Sequence, residues 1–238
     1  AGINTLPQQV ETIKLVLNIG AVREDERLEF EGMPYHVISL GFSAILANPL
    51  LEGSRRIVPV KSLVGLHSRR AGEHEPWFPC RTGDWVELAD GKSGKVISQS
   101  PSSVQLVELG GGHLTYPTAA FLAQRPKNLS TGFRIESVFG LDYRHQAIAT
   151  TDVPRILREQ MVAGLSKLLP SEQVREVQVH MANVGTSSLD FAVAVDLHGD
   201  AADKDRGIRL ALARIFVETC NTQGWVIPFT QVVIHKAY

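Results

Sequence analysis

The chain has 238 residues, 44% hydrophobic and 21% charged, and its 24 Lys plus Arg against 25 Asp plus Glu leave a formal charge of −1. That profile fits a globular protein and excludes disordered, collagen-like and strongly basic nucleic-acid-binding chains. Two cysteines, Cys80 and Cys220, cannot build a disulfide framework or a four-thiolate zinc site, which points to a reducing compartment.

In chain order, residues 1–20 hold a helix predicted over 6–18. Thr5 is placed to cap it, Pro7 falls in the first turn, Val10, Ile13 and Leu17 share one face, and Gly20 is a natural stop. There is no secretory signal and no initiator Met, so the sequence reads as a processed or excised fragment whose missing segments lie upstream of Ala1. Gly32–Leu51 carries no charge over the length of a spanning helix, but Pro34, His36, Asn48 and Pro49 make it strand-and-turn sequence.

Residues 21–70 and 77–128 read as two copies of one small β-domain. Leu28-Glu29-Phe30 matches Val86-Glu87-Leu88, Val37-Ile38-Ser39 matches Val96-Ile97-Ser98, and Ile57-Val58-Pro59 matches Thr115-Tyr116-Pro117, in the same order at nearly constant separation. A short apolar stretch follows each proline, Leu63-Val64 in one copy and Phe121-Leu122 in the other, and residues 66–76 form a polar linker.

Residues 131–238 change pattern. A strand over Phe133–Leu141 precedes a helix capped by Asp152, with Ile156, Met161, Leu165 and Leu168 or Leu169 at helical spacing. A strand with Val174, Val177 and Val179 turns at Asn183-Val184-Gly185-Thr186 into one alternating Leu189, Phe191, Val193, Val195 and Leu197. A second helix from near Ala202 to Thr222 buries Ile208, Leu212, Ile215 or Phe216 and Thr219; Gly224 ends it, and Val226 to Ile234 is extended. The order β-α-β-β-α-β is the ferredoxin-like arrangement. The fold class expected is therefore α+β: two tandem small SH3/Sm-like β-barrel domains followed by a ferredoxin-like domain.

Few residues carry chemistry. The eight histidines include no close ligand pair. Cys80 has Arg81 beside it but no neighbouring His, and Cys220 reads as packing. Gly110-Gly111-Gly112 lies between strands without the Lys-Ser or Lys-Thr of a phosphate loop, so it reads as a hairpin turn. Asp200, Asp203 and Asp205 lack the glycine and distal glutamate of a calcium loop. Basic and acidic side chains balance within one of each other in 21–70, 77–127 and 131–238, so no strong phosphate-binding excess is present. The reading is of a chain that is not an enzyme, with no catalytic, metal-binding or cofactor-binding residues, no cofactor and no nucleic acid partner.

Seven short motifs, in order over the last two domains, resemble the cytosolic region of the small-conductance mechanosensitive ion channel family. Pro79-Cys80-Arg81-Thr82-Gly83-Asp84 is similar to the family's Pro-Phe-Arg-x-Gly-Asp, with Arg81, Gly83 and Asp84 the matching positions. Gly94 fits its Gly-x-Val turn, Pro117 its Pro-Asn, Asn128 its Asn-x-Ser, and Gly140 the strand opening the α/β domain. Gly185 and Ser188 fit a Gly-x-Ser-Ser turn; Gly224, Pro228 and Gln231 fit the closing motif. Cys80, Thr118 and Thr230 depart from the family's Phe, Asn and Pro. Val22-Arg23-Glu24-Asp25-Glu26 looks like a degraded copy of the first motif.

The resemblance implies a homo-oligomer, a heptamer, at the cytoplasmic face of a bacterial inner membrane. It would join the membrane through segments absent from this chain, enclose a vestibule with side portals, and pass solutes during osmotic pressure release. The helix at 6–18 would continue a pore helix. The alternative is a soluble homologue acting as a binding module for nucleic acid or peptide.

Overall fold

The computed structural model describes residues 5–229. The protein is α+β, with antiparallel sheets and four α-helices among the described residues. Two compact units divide at Asn128.

The first unit opens with α1 (Thr5–Val16). The helix stops before the expected glycine: Asn18 takes the left-handed conformation (φ 56°), its N–H donates to the Leu15 carbonyl (2.9 Å), and the Ile19 N–H reaches back to the Lys14 carbonyl (3.0 Å). This pair of bonds is the Schellman closure, which satisfies carbonyls that the helix end leaves open. The face that Val10, Ile13 and Leu17 share is turned out, the three being 46%, 58% and 61% exposed, while Leu15 packs into the core.

Two five-stranded sheets follow. The first comprises β1 (Arg27–Phe30), β2 (Met33–Ser39), β3 (Ser43–Ala47), β4 (Arg56–Pro59) and β5 (Ser68–Arg69), in spatial order β4-β3-β2-β1-β5. The second comprises β6 (Trp85–Glu87), β7 (Ser93–Gln99), β8 (Ser103–Val107), β9 (His113–Pro117) and β10 (Lys127–Asn128), in the order β10-β6-β7-β8-β9. Each has four strands in sequence and a short fifth that returns to the first. The closing β5 lies inside the stretch expected to be linker, paired with β1 (Leu28 opposite Ser68).

The duplication extends to irregularities. A register shift falls between Val37 and Ser39 in one copy and between Val96 and Ser98 in the other. Left-handed backbone occurs at Asp25 and Gly32, and again at Gly83 and Gly91. After Pro59 comes a 3-10 turn (Val60–Leu63), and after Pro117 comes α2 (Thr118–Ala123); Leu63 and Phe121 are each fully buried. Alternation supplies the inward faces: Tyr35 and Val37 with Ala44 and Leu46 in the first sheet, Val96 with Val104 and Leu106 in the second.

The two sheets share one core, within which Phe78 and Phe121 stack at 6.0 Å. Two buried amides join the copies. Asn48 Nδ2 donates to the carbonyls of Pro34 (2.9 Å) and Trp77 (2.8 Å), and Gln99 Nε2 donates to those of Leu50 (2.6 Å) and Cys80 (3.1 Å). Arg27 adds a bond to the Pro76 carbonyl and lies over the Trp77 ring. Buried polar groups need such partners.

The second unit contains β11 (Phe133–Leu141), α3 (Asp152–Leu165), β12 (Val174–Val184), β13 (Leu189–Leu197) and α4 (Asp205–Gln223). Its sheet is ordered β11-β13-β12, both pairs antiparallel, so β11 and β12 run in the same direction with β13 between them. Every expected inward residue of β13 is buried. The face of α3 is the expected one at Met161, Leu165 and Leu169, all buried; toward the start of the helix Val153 and Leu157 are buried and Ile156 is only partly covered. Thr151, not Asp152, precedes the first helical residue; Asp152 lies in the first turn and pairs with Arg155. The buried face of α4 is the one expected, and Gly224 (φ 68°) closes the helix. Val226–Phe229 is not a strand, and the rest of the expected final segment, with Gln231, lies outside the described residues.

Candidate functional site

The motif residues gather into separate clusters, one in each unit. In the first, Gly83 turns with φ 98° and exchanges backbone bonds with β7: its N–H donates to the Val96 carbonyl, and the Val96 N–H donates to the Asp84 carbonyl, both 2.8 Å. Left-handed backbone at that position favours glycine. Asp84 Oδ2 accepts the Arg81 N–H and the Asn128 Nδ2, each at 2.8 Å. One carboxylate therefore ties the opening turn to the closing strand β10. The Arg81 contribution is made by its backbone, and its side chain is exposed.

The first copy repeats the scheme with other side chains. The Asp25 N–H donates to Val37 and the Val37 N–H to Glu26 (both 2.9 Å), while Ser68 Oγ of β5 donates to the Glu26 carboxylate and accepts the Arg23 N–H (2.8 Å). The Glu26–Ser68 pair stands where Asp84–Asn128 stands in the second copy.

Gly94 marks a close approach: a Cβ there would lie 2.9 Å from the Val107 carbonyl oxygen. Pro117 ends β9 and leads into α2. In the second unit, a Cβ on Gly140 would sit 3.0 Å from that of Ser188. The Gly185 N–H donates to the Ser188 carbonyl (2.8 Å), Ser188 Oγ donates to Asp190 (2.6 Å), and the Tyr143 hydroxyl donates to the Gly185 carbonyl. These bonds close the β12–β13 hairpin against the end of β11. Beyond Gly224, the Val226 N–H donates to His145 Nε2 (2.8 Å), and the Asp142 N–H donates to the Val226 carbonyl (3.0 Å). Pro228 is partly buried in this segment.

Chemically, these are groups that position backbone. The Asp142 carboxyl is held below its usual range, first by the Arg144 backbone N–H and then by the Arg144 side chain. Burial pushes the Cys80 thiol up to about 12, with the Asp84 charge adding to it, and the Cys220 thiol up to about 11. Both are protonated at neutral pH, which removes the thiolate that nucleophilic chemistry needs. Among the described residues no three His, Cys, Asp or Glu side chains cluster to hold a metal. No helix there is long and apolar enough to cross a membrane. A groove of about 710 Å³ lies between α1 and the 3-10 turn, lined by Gln8, Gln9, Thr12, Ile13, Lys61 and Val64.

Sequence reasoning misses Asn48, Gln99, Ser68 and His145. Each acts through a bond to a chain-distant backbone or side-chain group, and nothing in local spacing signals such a bond.

No family model matches the sequence, and no curated protein matches it. Comparison with solved structures finds similarity to MscS of Helicobacter pylori in its closed state: 19% identity and a TM-score of 0.49, over 67% of this chain and 60% of that one. It also finds wild-type MSL1 of Arabidopsis thaliana: 18% identity and a TM-score of 0.40, over 64% of this chain and 52% of that one. Both are mechanosensitive channels. The chain thus corresponds to little more than half the length of either.

Proposed function

We propose that the chain is the cytosolic vestibule region of a mechanosensitive channel. It would support homo-oligomer assembly, as a heptamer at the cytoplasmic face of the membrane, and let solutes pass as osmotic pressure is released. Residues 21–70 and 77–128 are the two SH3/Sm-like barrels, 131–238 the ferredoxin-like domain, and 1–20 the approach from the membrane segments. Its work is mechanical and it transforms no substrate.

The observation that carries this reading is that Gly83, Asp84, Gly94, Asn128, Gly140, Gly185, Ser188 and Gly224, taken from family motifs, each stand at a turn, a close approach or a clasp. The β11-β13-β12 order, with α3 joining two parallel strands around a third, supports the ferredoxin-like part. Short sheets with edge strands β4 and β9 support lateral assembly, since an edge needs covering.

The test is the mass of the purified chain by light scattering at micromolar concentration, followed by electron microscopy of particles. Sevenfold rings with a central opening are expected. A monomer with saturable, salt-sensitive RNA binding would replace the channel reading with a binding module.

A further inference from the structure

The apolar stripe on α1 lies away from the core. In a helix of 3.6 residues per turn, positions 10, 13 and 17 fall on one side and position 15 about 170° away. Leu15 is the residue that anchors α1 to its own unit, at 2% exposure. Val10, Ile13 and Leu17 therefore point directly outward, and Ile19, 64% exposed, continues them past the helix end.

Their spacing, three residues and then four, is the narrow seam by which one helix meets another. The groove between α1 and the 3-10 turn runs along the adjacent flank, and Ile13 belongs to both stripe and groove. One helix thus carries a ridge and, a quarter-turn or so round, a channel to receive a ridge.

Charge separates the candidates for what covers it. A helix that lies on an anionic bilayer carries a cationic polar face. Here the described polar side chains are Gln8, Gln9, Glu11, Thr12 and Lys14, and the one cation among them is paired with Glu11 at 2.9 Å. Lys61, across the groove, is a single cation among the described lining residues, short of the Lys- and Arg-rich face that seeks lipid headgroups, and α1 itself carries no unpaired like charge to repel a second helix of the same kind.

We infer that α1 is a self-association element: the Val10–Ile13–Leu17 ridge of one copy seats in the groove between α1 and the 3-10 turn of the next copy. This rests on the assembly proposed above and names a surface for it. A ridge meeting a groove is a head-to-tail contact, which closes into a ring when the rotation per copy allows. Rotation about one axis keeps all copies of α1 level, so Ile13, common to ridge and groove, lies close to its own counterpart.

Single cysteines in the full chain test this. Cys80 and Cys220 are buried and do not compete for oxidant. Under mild oxidation Ile13→Cys is expected to give at least tenfold more cross-linked dimer than Glu11→Cys, on a different side of α1. Ile13→Glu should weaken association at least tenfold by light scattering, with an unchanged circular dichroism melt. Association with no preference for Ile13→Cys overturns the seam and leaves assembly standing. A monomeric chain with no cross-link overturns both. Flotation with anionic phosphatidylserine vesicles that Ile13→Glu abolishes, without cross-linking, gives the stripe to lipid and overturns the inference.

Discussion

Opposite Leu28 on β1, the first repeat carries Tyr35, fully buried; at the equivalent place opposite Val86 on β6, the second carries Gly94. The largest side chain of one core thus stands where the other has none. In the second repeat the β8 backbone fills that space, and aromatic volume sits at Tyr116 on β9 and Phe121 on α2, rings 6.5 Å apart, where the first has Val58 and Leu63. What the copies share is register, the bulge and the turn bonds. The comparison teaches that pairing register and total core volume specify this fold, while the position of the volume is free to drift.

Truncating Tyr35→Ala should break the first repeat most severely, by about 3–5 kcal/mol, because it empties the place of a large, fully buried aromatic side chain. Urea unfolding measures it. Gly94→Ala attacks the same position of the other copy from the opposite side, by overpacking against the Val107 carbonyl, and should cost about 1–3 kcal/mol in the same assay. Equal effects in the two variants would mean that the two cores do not differ as described.

The clasps differ by less. Asp84→Ala removes a charged acceptor of two hydrogen bonds and is expected to cost about 2 kcal/mol, whereas Ser68→Ala in the first repeat should cost about 1 kcal/mol, both read by the same unfolding midpoint.

The smallest effect is set by pH. The Arg69 guanidinium, with the Gly72 N–H next, lowers the Glu75 carboxyl to about 2. A carboxyl depressed on folding contributes stability above its unfolded value, near 4.5, and loses it as pH falls toward 2. Amide exchange at Gly72, corrected for intrinsic rate, should therefore quicken over that window and not above it.

Much of this architecture is legible in the amino-acid sequence. The repeat can be read because period-2 alternation and turn glycines recur in step, and the face of α4 because Ile208, Leu212, Ile215 or Phe216 and Thr219 recur at helical spacing. In α3 only Ile156 is misplaced, because Ile156 and Leu157 are adjacent and equally apolar and packing alone decides between them. For α1, periodicity locates the stripe but not what it faces, since the same spacing serves a core face and an assembly seam. The motif residues stand out as a set, yet their division between two clusters and the amides Asn48 and Gln99 emerge only once distant strands meet.

The bond from the Val226 N–H to His145 Nε2 has a chemical corollary. To accept there, the imidazole must keep that lone pair, so its single proton resides on Nδ1. The ring so fixed is a one-way hasp: only the tautomer with its hydrogen on Nδ1 can hold the peptide that follows α4 against the turn after β11.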